Sequence, residues 1–145
     1  MDWIIGVGNR LRGDDGLGPR LVERVRAAKT AKCLVVTQLT PELALSLRDA
    51  DRVLFVDADV AETAPRLLRL EPRTDRGLGH ALSPEGLLEL TERAFGTAPD
   101  GWLLSIPGHR FEFVDELSTT AAGALCEAER ILMRWMERTA VTIDV

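Results

Sequence analysis

Three side chains in this 145-residue sequence, Asp15, Asp57 and His80, have the types and placement that metal chemistry asks for. Asp15 stands just ahead of a run with helical spacing, and Asp57 closes an apolar, strand-like run from Arg52 to Val56. A carboxylate emerging from apolar surroundings needs a cation or hydrogen-bond donors, which makes Asp57 hard to explain as a simple cap. Two carboxylates and an imidazole suit a borderline divalent ion such as nickel or zinc. With coordination positions left open, such a set either binds a metal for hydrolysis or grips a metal already held by a partner. Blander roles stand beside these. Carboxylates ahead of a helix are ordinary caps worth about 0.5 to 2 kcal/mol, although one of Asp14 and Asp15 would suffice for that. Asp59 reads as solvent-exposed or a turn former, and a lone loop histidine such as His80 or His109 is more often incidental than a ligand.

The elements that must position these residues follow from periodicity. Trp3 to Val7 is a short apolar strand that turns at Gly8-Asn9, and a helix begins at Leu17, with Leu21, Val22 and Val25 on one face. Leu34 to Thr37 is a second strand, Pro41 to Leu47 a short helix opened by Thr40, and Arg52 to Val56 a third strand. Arg66 to Leu70 alternates basic and apolar residues as an edge strand does, and Glu71 to Leu82 is a long polar loop. Ser83-Pro84 is an N-cap followed by proline at the first helical position, with Leu87, Leu88, Thr91 and Phe95 continuing one face. Trp102 to Ile106 is a strand, and a final helix runs from Ser118 to about Met136. Alternating strands and helices imply an α/β fold with a mostly parallel sheet covered on both faces. In such sheets functional groups gather beyond the carboxyl ends of the strands, where Asp15, Asp57 and His80 are all expected.

Composition bounds the rest. The length suits one domain, residues 1–145, with 46% hydrophobic and 28% charged residues as in ordinary globular chains. The net charge of -5 and scattered arginines argue against nucleic acid as a partner. No basic and apolar leader opens the chain and no long apolar run crosses it, so neither secretion nor a membrane span is expected and the location is read as cytoplasmic. Cys33 and Cys126 both lie on apolar stretches and read as buried thiols in a reducing compartment.

Other chemistries fit less well. Gly6-Val7-Gly8 suggests a dinucleotide fingerprint, but Leu11 stands at the third glycine position, no acid follows Thr37-Gln38 to hold a ribose, and Asp14-Asp15 would repel a phosphate. No nucleotide is therefore expected, and a tight turn with close packing accounts for the glycines. A serine nucleophile elbow is missing, and the cysteines look too buried for catalysis.

The run Gly6-Val7-Gly8-Asn9-Arg10-Leu11-Arg12-Gly13-Asp14-Asp15-Gly16-Leu17-Gly18 resembles the opening signature of the nickel-iron hydrogenase maturation endopeptidases. Val53-Leu54-Phe55-Val56-Asp57-Ala58 and His80-Ala81-Leu82-Ser83-Pro84 agree with that family in order and spacing, so the resemblance spans essentially the whole chain. It implies a three-layer α/β/α sandwich with a mostly parallel sheet of about five strands. It also implies an endopeptidase that removes the C-terminal extension of a hydrogenase large-subunit precursor once nickel is inserted, with the precursor's nickel as the cue. The family's metal-contacting and catalytic residues fall on Asp15, Asp57 and His80, with Glu85 as an alternative to His80 if the loop aligns differently. Many relatives carry Glu where this chain has Asp15. Gln38-Leu39-Thr40-Pro41-Glu42 departs from the Asp-Gly-Gly or Gly-Thr segment of many relatives and reads as the marker of a subgroup with a different large subunit as target. A monomer is expected. A non-catalytic nickel-binding or chaperone module on the same fold is the alternative.

Overall fold

Ile4 and Ile5 are both fully buried, yet they belong to different cores, because successive residues of a strand point to opposite faces of its sheet. They lie on β1, Trp3–Val7, and the same alternation recurs in β3, Arg52–Asp59, where Leu54 and Val56 face one core and Val53 and Phe55 the other. Near-continuous apolar runs of this kind mark a sheet buried on both faces. Three more strands, β2 (Lys32–Val36), β4 (Arg66–Leu70) and β5 (Asp100–Pro107), complete a five-stranded sheet in the order β2-β1-β3-β5-β4. All neighbours pair in parallel except β4, which runs antiparallel to β5 at the edge. This computed structural model describes residues 1–28, 31–75 and 81–137.

Helices α1 (Leu17–Val25) and α4 (Thr119–Glu137) cover one face, burying Leu17, Leu21, Val22, Leu125, Leu132 and Trp135 against Ile4, Leu54 and Leu104. Helices α2 (Leu43–Leu47) and α3 (Pro84–Phe95) cover the other, with Leu43, Leu47, Leu87 and Leu88 packed on Ile5, Val53 and Phe55. The result is the expected three-layer arrangement. Each large side chain fully withdrawn from water contributes about 1.5 to 3 kcal/mol, so these two cores hold the sheet's carboxyl end in a fixed frame. At the opposite end, buried Arg52 bonds through Nε (3.0 Å) and Nη2 (2.5 Å) to Asp2 and lies 3.8 Å from the ring centroid of Trp135.

Several local expectations shift. The second strand starts at Lys32, because backbone pairing with Trp3 recruits residues that the apolar pattern leaves out. The short helix starts at Leu43, and Thr40 contributes its carbonyl to a turn (Leu43 N–H, 3.1 Å), not a side-chain cap. Strand β3 continues through Asp59, still paired with β5, so Asp57 sits inside the strand instead of just beyond it. The α3 start is as read, with the Ser83 hydroxyl accepting from Gly86 N–H at 2.9 Å, but Phe95 at its last turn is 40% exposed. Both cysteine readings are corrected: Cys33 is only half-buried on the edge strand, and Cys126 is exposed because it lies off the Ala121, Leu125, Ala128 and Leu132 stripe of α4.

Candidate active site

The turn that delivers Asp15 begins where β1 ends. Gly8 has φ +142°, and a Cβ there would lie 1.9 Å from the Asp15 carbonyl oxygen, so only glycine lets the chain fold back this closely. Asn9 closes the turn: its side-chain oxygen accepts from Leu11 N–H at 2.9 Å, and its own N–H donates to the Asp15 carboxylate at 2.7 Å. Gly13–Gly16 then forms a 3-10 turn that passes into α1. One turn further on, Gly18 brings the helix backbone against the sheet, since a Cβ on it would stand 2.4 Å from the Val56 carbonyl oxygen and 2.8 Å from that of Val7. The glycines of the opening motif therefore serve the turn and the close packing.

Asp57 is half-buried near the carboxyl end of β3, and its Oδ1 accepts from Ala58 N–H at 2.8 Å. Burial pushes its carboxyl up to about 6; the Ala58 hydrogen bond works the other way, while the nearby charges of Asp15 and Asp59 add to the rise. A carboxylate so poorly compensated is one that a cation would favour. Asp15 and Asp57 line one cleft of about 200 Å³, together with Val7, Gly8, Phe55 and Gln38, while Ala81 and Leu82 form a further wall. The structure thus brings two of the expected residues together.

The third, His80, falls among residues 76–80, outside the described residues; its sequence neighbour Ala81 lines the cleft. Glu85 is directed elsewhere. It stands 3.6 Å from Arg73 and lines a separate cleft with Arg73, Thr74, Asp75 and Ser83. Asp59 is exposed and accepts from Ala61 N–H at 2.8 Å, the turn-forming role expected of it. Among the described residues, no group of three or more His, Cys, Asp or Glu side chains is arranged to hold a metal.

Asp14 has a larger role than a helix cap. It is fully buried, and neither Gly13–Gly16 nor α1 has a side-chain cap. Its Oδ2 accepts from His109 N–H (2.7 Å), Arg110 N–H (3.0 Å) and the Ser118 hydroxyl (2.8 Å), and its Oδ1 from Ser118 N–H (2.8 Å). Burial alone would raise its pKa, but these donors from His109, Ser118 and Arg110 outweigh it and hold the carboxyl below its ordinary value. His109 serves this site through its backbone, with its ring exposed. The same clamp ties the Asp15 turn to the end of β3, because Gly108 N–H donates to the Asp59 carbonyl at 3.2 Å. The signal for this in sequence is the redundancy of two adjacent acids where a cap needs one.

Among the described residues no helix is long and apolar enough to cross a membrane. No family model and no curated protein sequence matches the chain significantly. Solved structures do. The hydrogenase maturating endopeptidase HybD from E. coli is similar over 93% of this chain and 91% of its own, with TM-score 0.71 and 23% identity. A hydrogenase 2 maturation peptidase from a Thaumarchaeota archaeon is similar over 94% and 97%, with TM-score 0.66 and 25% identity. The NiFe hydrogenase maturation protease HycI from Thermococcus kodakarensis is similar over 94% and 92%, with TM-score 0.71 and 20% identity. From its opening signature to its last described helix, the chain has the fold of the hydrogenase maturation endopeptidases.

Proposed function

We propose that this chain is a cytoplasmic endopeptidase of hydrogenase maturation, which docks on a nickel-loaded large-subunit precursor and releases its C-terminal extension. The observation that carries the reading is that Asp15 and Asp57 line one cleft at the carboxyl end of the sheet, on a fold shared with hydrogenase maturation endopeptidases. Nickel belongs to the substrate and is the cue for cleavage. Asp15, Asp57 and His80 contact it, two oxygen donors and an imidazole being a suitable set for a borderline ion. Its arrival relieves the repulsion between the two carboxylates and offsets the desolvation of the ionised Asp57 carboxylate. The bound ion polarises the scissile carbonyl or activates a water, and either stabilises negative charge by several kcal/mol.

The test is the intact mass of the hydrogenase large subunit in host cells lacking this chain, complemented with wild type or Asp57→Ala. Loss of a C-terminal peptide with wild type alone supports the proposal. An unprocessed subunit that still binds wild type would overturn it in favour of a nickel-binding or chaperone module.

A further inference from the structure

The cleft is small for the recognition just proposed. A cleft of about 200 Å³ takes only a short segment, whereas a specific protein complex covers about 800 Å² on each partner. Selection of a folded precursor must draw on surface outside the cleft.

The adjoining rim has the required chemistry. The segment Asn9 to Asp14 connects two cleft-lining residues, Gly8 and Asp15, and carries Leu11, which is 60% exposed. The Arg12 guanidinium lies over the ring of Phe113 at 5.3 Å, and Phe113, at 80%, is the most exposed large apolar side chain among the described residues. The backbone beneath this patch is tied down. Gly13 N–H donates to the Val114 carbonyl at 2.8 Å and Asp14 N–H to that of Arg110 at 2.6 Å, while the Asp14 carboxylate grips both ends of the loop at Arg110 and Ser118. An aromatic ring and an arginine are the usual content of an interface hot spot, and a backbone ordered in advance lowers the entropy lost on binding. Phe95, which lies beneath Arg48 at 5.7 Å, is no rival, because it ends α3 close to the start of β5 and so belongs to the other end of the sheet.

We propose that Leu11, Arg12 and Phe113 form the docking face for the folded substrate protein whose metal-bearing segment enters the cleft. The inference rests on the precursor-processing reading above. Continuity with the cleft selects this occupant, and the patch chemistry calls for an apolar side chain flanked by a carboxylate on the partner.

The test uses nickel-loaded precursor purified from a host lacking this chain, with binding and cleavage kinetics for wild type, Phe113→Ser, Arg12→Ser and Phe95→Ser. Phe113→Ser and Arg12→Ser each raise Kd and KM by about tenfold or more, with the loss residing in KM and not in kcat, and with Tm unaltered. Phe95→Ser leaves Kd, KM and kcat at their wild-type values. Wild-type Kd and KM in Phe113→Ser would overturn the docking face and leave the protease reading intact. Self-association of wild type, abolished by Phe113→Ser in sedimentation velocity, would assign the patch to a second copy instead. A wild type that neither binds nor shortens the precursor would overturn both readings before any variant is compared.

Discussion

Asp14 and Ser118, 104 positions apart, are joined twice: the backbone N–H and the hydroxyl of Ser118 each donate to the Asp14 carboxylate at 2.8 Å. With His109 and Arg110 added, removal of this carboxylate leaves three backbone N–H groups without their acceptor in a buried site. Asp14→Ala should cost about 3 kcal/mol or more in urea unfolding at pH 7, and Ser118→Ala about 1 kcal/mol. Because the Asp14 pKa is lowered by folding, its contribution is present above the ordinary carboxylate value and fades as pH falls through the lower folded value. The gap between wild type and Asp14→Ala should therefore narrow in acid.

Asp57 has the opposite sign. Its pKa is raised by folding to about 6, so the folded chain holds a proton that the unfolded chain releases between about pH 4 and 6. The stabilisation is complete below that window and lost as pH rises through about 6. Asp57→Asn cannot ionise. It should gain up to roughly 3 kcal/mol over wild type at pH 7 to 8 and little at pH 4, read from Tm across that range. An equal gain at both ends would refute the assignment.

Gly18 and Gly123 make a controlled pair. A Cβ at Gly18 meets the Val56 backbone, whereas at Gly123 on α4 it meets nothing within 4 Å. Gly18→Ala should destabilise by about 1 to 3 kcal/mol by forcing the helix off the sheet. Gly123→Ala should stabilise by about 0.5 to 1 kcal/mol through helix propensity. Chemical denaturation of both separates packing from propensity.

For the third site residue, activity decides between two candidates. His80→Ala should reduce precursor processing by about 100-fold or more, as loss of a catalytic group does. Glu85→Ala, which removes only a surface pairing with Arg73, should leave it near wild type. The reverse order, measured by product mass over time, would move the third ligand to Glu85.

Much of this is legible in the sequence because the central strands β1 and β3 are apolar and buried on both faces. Trp3–Val7, Arg66–Leu70 and the Ser83-Pro84 start of α3 are readable from an apolar run, from alternation and from capping in turn. Lys32 and Asp59 were not, because their strand membership comes from a neighbour's ladder instead of from their own side chains. Asp15 and Asp57 stood out as acids at strand and helix junctions. Asp14 reads locally as a cap because its partners His109, Arg110 and Ser118 lie in a loop some 95 to 104 residues away, a closure that no local pattern encodes.

The contact at Gly18 has a consequence for how this molecule can change. Main-chain atoms of α1 rest on main-chain atoms of β1 and β3, so the placement of the Asp15 turn over Asp57 is gauged by peptide groups and not by the bulk of any side chain. Such a gauge is indifferent to which leucines, isoleucines or valines fill the layers around it, provided their total volume is kept. The two cores are then free to drift in composition over evolutionary time while the turn keeps its height above the sheet. A shared fold at only 20% to 25% identity is the outcome that this freedom permits.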